Sequence, residues 1–311
     1  MFDVVGVLVL VILTLLFGFL VVRAWRAHNP ALKWGGAFLA SVPTLVFGLA
    51  TTLALVGFAK INQTHPNPVP DITVASTEER IACGRTIART CAGCHSATGD
   101  LPLTGSNFAE GGPPIGQLYA PNLTPVHLAE WSDGEIIRAV REGVHRSGRS
   151  LIIMPAGIFR NLSDEDLQAV VAYLRSSEPV EPDTPPTSIS VVGAILVSLF
   201  PLQTAQPPVT EPVVAPPPGP TAEYGSYLIS ISGCYDCHGH NLTGGTEAFA
   251  PVGPNIAVIP DRWSEQEFVD AMRTGVRPDG VPFGPDMPWR DFELYSDDDF
   301  RAMYAYLQAR R

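Results

Sequence analysis

Methionine, cysteine and charge are all scarce in this 311-residue chain: five Met, five Cys and 16% charged residues. Basic residues are the scarcer sign, 20 Lys and Arg against 31 Asp and Glu, for a net charge of −11. That balance argues against a nucleic-acid partner and favours a basic docking partner. No Ser-His-Asp arrangement, phosphate loop or zinc cluster is apparent. The few methionines allow each one to be weighed as a ligand. The length accommodates two or three small domains.

Four of the five cysteines fall in two copies of C-x-x-C-H. The first is C-A-G-C-H, with Cys91, Cys94 and His95; the second is C-Y-D-C-H, with Cys234, Cys237 and His238. This spacing is the attachment signature of c-type heme. Two thiols so placed each form a thioether to a heme vinyl group, and the adjacent histidine falls under the ring as proximal iron ligand. The remaining thiol, Cys83, precedes the first motif within a predicted helix and is expected to be buried and unpaired.

Iron that only carries electrons has both axial positions filled, often by His and Met. After the first motif the candidate is Met154, in I-I-M-P; after the second, Met272, Met287 and Met303. Met287 lies in P-D-M-P and shares the M-P dipeptide with Met154. Each stands nineteen residues before the tyrosine of an A-Y-L triplet, Tyr173 or Tyr306. Met154 and Met287 are therefore the predicted distal ligands. Met272 and Met303 lie in helix-like runs and read as packing residues. His28, His65, His127, His145 and His240 are less well placed, and His240 reads as a surface residue at a heme edge.

Between motif and methionine the two halves continue to match. P-N-L at Asn122 answers P-N-I at Asn255, and W-S-D-G-E-I-I-R-A-V-R-E-G-V answers W-S-E-Q-E-F-V-D-A-M-R-T-G-V. Trp131, Arg141 and Gly143 align with Trp263, Arg273 and Gly275. A repeat of this length means two structural units of one kind. Ser163 and Ser296, each followed by acids, mark the start of a terminal helix in each unit. Gly84 and Gly225, ahead of the motifs, would let that terminal helix cross closely. Trp131, Arg141, Trp263 and Arg273 are candidates to bond heme propionates, the alternative being core tryptophans and exposed helix arginines.

These phrases, with Y-A-P-N-L-T-P and A-Y-L-R-S, resemble the class I diheme cytochromes c, in particular the cytochrome subunits of membrane-bound alcohol and gluconate dehydrogenases. The resemblance implies an all-α fold with two class I cytochrome c domains, at residues 76–178 and 221–311, each holding one covalent heme c. Members of that group usually carry three such units and begin with a cleaved signal; two units are visible here.

The N-terminus is apolar. Val4 to Val22 is uncharged and as a helix reaches about 28 Å; Gly36 to Ala59 is uncharged and reaches about 36 Å, enough for a core of roughly 30 Å. Arg23, Arg26 and Lys33 lie between them with Trp25 and Trp34. Basic loops stay in the cytoplasm. The expectation is a two-helix anchor over 1–62 in a bacterial inner membrane, in contact with lipid. Both chain ends and both heme units then lie in the periplasm, where covalent heme attachment is normally completed in the cytochromes c that the chain resembles. A cleaved signal is the rival reading; it wants a positive n-region, and Met1-Phe2-Asp3 has none.

Residues 179–220 hold a third apolar run, Ile189 to Leu202, about 21 Å as a helix and too short to cross, then a proline-rich stretch from Pro207. The run either packs on a heme unit or dips into the interface; the proline stretch reads as a semi-rigid linker that lets the second unit reorient. The function expected is electron transfer between redox partners: a dehydrogenase, an oxidase or a soluble carrier. A diheme subunit of a cbb3-type oxidase has a similar plan, with N-P-A-L-K-W at Asn29 to Trp34 loosely resembling that family. A diheme peroxidase would need an open iron position, against which two matching methionines argue.

Overall fold

The computed structural model describes residues 3–108, 115–181, 183–245 and 251–310. Met1, Phe2 and Arg311, at the outer ends of the predicted anchor and second unit, lie outside these. Helices dominate, as expected, and strand is limited to two-residue pieces.

Helix α1 (Val4–Trp25) begins at Asp3, whose carboxylate accepts the Gly6 N–H. Helix α2 (Pro30–Asn62) begins at Asn29, whose side-chain oxygen accepts the N–H groups of Ala31 and Leu32, with Pro30 at the first helical position. The N-P dipeptide of the loop phrase is thus an ordinary helix start. The two helices run antiparallel: Phe17 stacks on Phe47 at 5.7 Å, and the Thr14 and Thr51 hydroxyls meet at 3.5 Å. Leu15, Phe19, Leu39 and Leu45 stay exposed along them. Both helices are long and apolar enough to cross a membrane. At the turn, Trp25 meets Trp34 edge-on and Lys33 Nζ lies 4.9 Å from the Trp25 ring centre. The 33 residues of α2 reach about 50 Å, well beyond a core of about 30 Å.

The first unit follows. Helix α3 (Glu78–Ala88) runs through a 3-10 turn (Arg89–Cys91) into α4 (Ala92–His95). Strand β1 (Ser106–Asn107) pairs antiparallel with β3 (Tyr119–Ala120), with β2 (Gly116–Gln117) between them in the chain. Helices α5 (Pro125–Leu128), α6 (Asp133–Glu142), α7 (Ala156–Phe159) and α8 (Asp164–Ser176) complete it. Strand β4 (Ser188–Ile189), antiparallel to β2, and α9 (Val191–Leu199) occupy the middle segment. The second unit holds α10 (Ala222–Ile231), α11 (Cys234–His238), α12 (Ile259–Arg262), α13 (Glu265–Thr274) and, after a 3-10 turn (Trp289–Phe292), α14 (Asp297–Ala309).

The repeat is visible in the caps. Ser132 and Ser264, after the aligned tryptophans, each close a capping box with a glutamate three residues on. Gly143 and Gly275 end those helices at φ 65° and 70°, a left-handed conformation that suits glycine. Ser163 and Ser296 cap α8 and α14 as predicted.

Each unit is built on one helix crossing. A Cβ placed on Gly84 would lie 1.8 Å from the Ala169 carbonyl oxygen, and one on Gly225 would lie 1.9 Å from that of Ala302. The glycines therefore let backbone rest on backbone, α3 on α8 and α10 on α14, as the sequence suggested. Helix α3 buries Gly84, Ile87 and Ala88. Cys83 falls off that stripe and is exposed, against the expectation of a buried thiol; its Sγ lies 3.6 Å from Asp166 Oδ1 and it is unpaired.

The third apolar run packs on α2 and, at Ile189 and Leu202, on the first unit. A Cβ on Gly57 of α2 would lie 1.8 Å from the Ala194 carbonyl, Lys60 Nζ donates to the Ser198 carbonyl at 3.0 Å, and Asp3 accepts the Val191 N–H at 3.2 Å. Nor is the linker a free tether. Its backbone pairs with the first unit: Ile153 N–H donates to Leu202 O, Thr204 N–H to Leu151 O and Asp164 N–H to Val213 O. Free reorientation of the second unit was expected, but the two units pack directly. Tyr227 donates from its hydroxyl to Asp166, and Arg89, 3% exposed, reaches Asp291 and Glu293 at 3.3 and 2.8 Å. Unpaired backbone groups along an extended segment are satisfied by lying on a folded surface, and here they do so.

Burial pushes the Asp291 carboxyl up to about 6, with Arg89 pulling it down and Glu293 pushing it further up. Its folded value lies above the ordinary 3.8, so its contribution to stability is fully present below pH 4 and is lost as pH rises through about 6. Asp291→Asn should therefore gain stability relative to wild type on going from pH 4 to pH 7, measured by denaturant unfolding at both. Gly84→Val or Gly225→Val should cost about 1–3 kcal/mol or more by prising the helices apart, read as a lowered unfolding midpoint.

Candidate functional site

In the first unit a mostly apolar cavity of about 550 Å³ is lined by Cys91, Cys94 and His95, and by Met154. The two predicted attachment thiols, the proximal histidine and the predicted distal thioether thus open into one space. Trp131, Leu128, Ile136 and Phe159 supply apolar wall. Short local elements position these groups. The 3-10 turn and α4 wind the motif into a helical turn, so that thiols three residues apart share a face with His95 beside them.

His95 is buried and its ring Nδ1 lies 2.9 Å from the Pro121 carbonyl oxygen. Burial holds the imidazole below its ordinary pKa, opposed by that hydrogen bond. The neutral ring donates from Nδ1, which leaves Nε2 as the nitrogen able to bind iron. The second unit repeats the hydrogen bond. His238 is buried with Nδ1 2.7 Å from the Pro254 carbonyl oxygen. Pro121 and Pro254 are the prolines of the repeated P-N dipeptides. The sequence displayed that repeat without revealing its role, which is to orient the ring through a main-chain oxygen.

The methionine loops correspond as well. Ala156 N–H donates to Met154 O at 2.8 Å, and Trp289 N–H donates to Met287 O at 2.9 Å. Ile153, next to Met154, has φ 68°, a strained conformation for a β-branched residue, held by its N–H bond to Leu202 O. Met287 is half-buried against the core, while Met272 and Met303 are buried among packing residues, as their helical context suggested.

Both candidate arginines are held by protein groups. Arg141 donates to Asp164 Oδ1 at 2.6 Å and Leu162 O at 2.7 Å; Arg273 donates to Asp297 Oδ1 at 2.9 Å, Glu293 O at 2.9 Å and Tyr295 O at 2.5 Å. Each guanidinium ties the end of one helix to the turn that starts the terminal helix. These donors serve carbonyls and a first-turn carboxylate, while Arg141 Nε is buried without a protein partner. Trp131 does line the cavity, edge-on to His145 at 4.9 Å. Trp263 is half-buried and its carbonyl accepts the Tyr304 hydroxyl. Arg149 is a cavity group that no sequence pattern singled out; His127, passed over as a ligand, also lines the cavity, with its Nδ1 2.6 Å from Asp183. His240 is exposed.

The wall of the first site extends beyond the repeated unit. Phe58 and Ile61, from the last turns of α2, and Thr184 to Thr187 with Ile189, from the middle segment, line the same cavity. No spacing rule could link them to Cys91. The donor set fits a covalent heme: two thiols for the vinyl groups, an oriented neutral imidazole and a thioether, all around one apolar space.

Comparison with known proteins agrees with the geometry. The Cytochrome c family model matches residues 81–178 and 222–310. The chain is 30% identical to a nicotinate dehydrogenase component of Pseudomonas putida, over 89% of this chain and 25% of that protein. It is 27% identical to the alcohol dehydrogenase (quinone) cytochrome c subunit of Gluconacetobacter polyoxogenes, over 84% of this chain and 61% of that one. To the gluconate 2-dehydrogenase cytochrome c subunit of Pantoea cypripedii it is 28% identical, over 84% and 64%. The chain thus spans a quarter of the first relative and under two thirds of the other two. Two matched regions, each holding one C-x-x-C-H motif, a carbonyl-oriented histidine and a methionine loop, make this chain a member of the cytochrome c family.

Proposed function

We propose that the chain is a membrane-anchored diheme electron carrier that works with a dehydrogenase. Cys91, Cys94, His95 and Met154 would hold one heme c, and Cys234, Cys237, His238 and Met287 the other. Bound heme supplies a one-electron iron couple. The residues would hold it: the thiols would fix the ring, the Pro121 and Pro254 carbonyls orient the imidazoles, and the thioethers would raise the potential and keep oxygen or peroxide from the metal. The observation that carries this reading is the convergence of Cys91, Cys94, His95 and Met154 on one apolar cavity.

The domain plan proposed is an anchor at 1–62, heme units at 76–178 and 221–311, and a connecting segment at 179–220. That segment, with the end of α2, is also wall and brace for the first heme unit. The hairpin's basic turn, Arg23, Arg26 and Lys33, lies at the far end from the heme units, which supports a cytoplasmic turn and periplasmic hemes in a bacterial inner membrane. Helix α9, packed on the anchor with Val192, Leu199 and Phe200 exposed, would rest the first unit on the lipid surface. Electrons would enter from a dehydrogenase catalytic subunit, the kind of complex named in the relatives, and leave to a respiratory acceptor or soluble carrier. The cbb3-type reading shares the same plan of a hairpin and two heme units; its loop phrase N-P-A-L-K-W adds little, since the N-P is an ordinary helix cap. Matching methionine loops in both units disfavour a peroxidase.

Met287→Ala should lower the potential of one heme by on the order of a hundred millivolts, within the roughly 0.8 V range set by axial ligands, and Met154→Ala that of the other. Optical redox titration reads this, and unchanged potentials would remove the methionines as ligands. Purification from native membranes in mild detergent should bring down a flavin- or quinone-dependent dehydrogenase; recovery of a heme-copper oxidase core would favour the oxidase reading.

A further inference from the structure

Arg89 stands two residues before Cys91 and is 3% exposed. Within its own unit it donates to Gly99 O at 2.7 Å and Asp100 Oδ1 at 3.2 Å, both just past His95. From the same guanidinium it reaches the other unit, at Glu293 Oε1 (2.8 Å) and Asp291 Oδ1 (3.3 Å). Asp291 lies four residues after Met287. One cation therefore bridges the attachment loop of the first heme and the methionine loop of the second. Gly93, inside the first motif, is part of the same contact: a Cβ there would lie 3.4 Å from Asp291 Oδ2.

The reciprocal contact also exists. A Cβ on Gly233, the residue before Cys234, would lie 3.1 Å from Ile158 Cδ1, and Ile158 lies four residues after Met154. Each attachment loop thus sits on the methionine loop of the other unit, in both cases at the residue four after the methionine. The two contacts differ in chemistry. The second is apolar, and Ser232, at the place of Arg89, bonds Tyr295 within its own unit. Burying a cation is costly unless its donors are matched, and an apolar contact holds the reciprocal seam without one. What the guanidinium adds is direction: donors aimed at both loops at once, in a fixed planar fork.

We propose that Arg89 is a positioning residue for electron passage between the two hemes, locking the first attachment loop to the Met287 loop. In that passage one electron leaves ferrous iron in one unit and is taken up by ferric iron in the other; the first is oxidised, the second reduced, and no proton moves. The proposal rests on the diheme reading above.

The test uses the full chain in mild detergent, as wild type, Arg89→Met, Arg89→Lys and Glu293→Gln. Heme content and the two potentials are measured first. Then come the rate of electron redistribution after substoichiometric flash reduction and the magnetic coupling of the two ferric hemes by electron paramagnetic resonance. Arg89→Met should keep both hemes, weaken their coupling and slow redistribution by about tenfold or more, as small misplacements of reacting partners do. Glu293→Gln should have a smaller effect in the same direction, and Arg89→Lys should recover part of the loss. An unchanged rate and coupling in Arg89→Met with both hemes in place would overturn the proposal. If Arg89→Met does not fold, Glu293→Gln decides, its side chain being half exposed; unchanged coupling and rate there overturn it equally. A wild-type chain carrying fewer than two hemes would instead overturn the diheme reading itself.

Discussion

Each cytochrome c unit depends on one contact without side chains between. Gly84 lies against the Ala169 carbonyl and Gly225 against that of Ala302, so that the helix entering each motif and the terminal helix touch through their backbones. The crossing sets the direction in which α3 and α10 deliver the chain into the cysteine turns. It also anchors the terminal helices, to whose starting turns Arg141 and Arg273 tie α6 and α13. The motif and the helix behind the tryptophan are thus referred to the same pair of axes. A methyl group at the crossing would have to displace one helix, and with it one wall of the site.

The first site is not self-contained. Its cavity is completed by the end of α2 and by part of the middle segment, Thr184 to Thr187 with Ile189. Its methionine loop is braced by Leu202 and Thr204. The second unit has no such brace among the described residues; Trp289 lies on Gly275 instead, where a Cβ would fall 2.3 Å from the ring. Equivalent glycines, Gly143 and Gly275, therefore receive a carbonyl of Thr204 in one unit and an indole in the other. A repeated sequence has acquired two different supports. The first unit leans on α2 and the middle segment, and the second supports its methionine loop on its own Trp289 and on Arg89 of the first unit.

What the chain order by itself determined is the local chemistry. The C-x-x-C-H spacing, the M-P loops, the serine caps and the uncharged runs each act within a few residues, and short-range geometry leaves them few alternatives. Hence both attachment motifs, Met154 in the cavity, the capped terminal helices and two helices of spanning length were legible without coordinates. Tertiary structure alone decided the long-range pairings. Arg141 and Arg273 look suited to carboxylates of a ligand, yet nearby carbonyls and acids reach them first. Cys83 lies one residue off the buried stripe of α3. The run at Ile189 to Leu202 could have met a heme unit or lipid; it seats on the first unit at Ile189 and Leu202 and in the Gly57 notch of α2 between them. The proline-rich segment, flexible on composition, is held because its backbone groups find partners on the first unit. Such outcomes turn on which surfaces meet across the whole chain, and no local pattern encodes that.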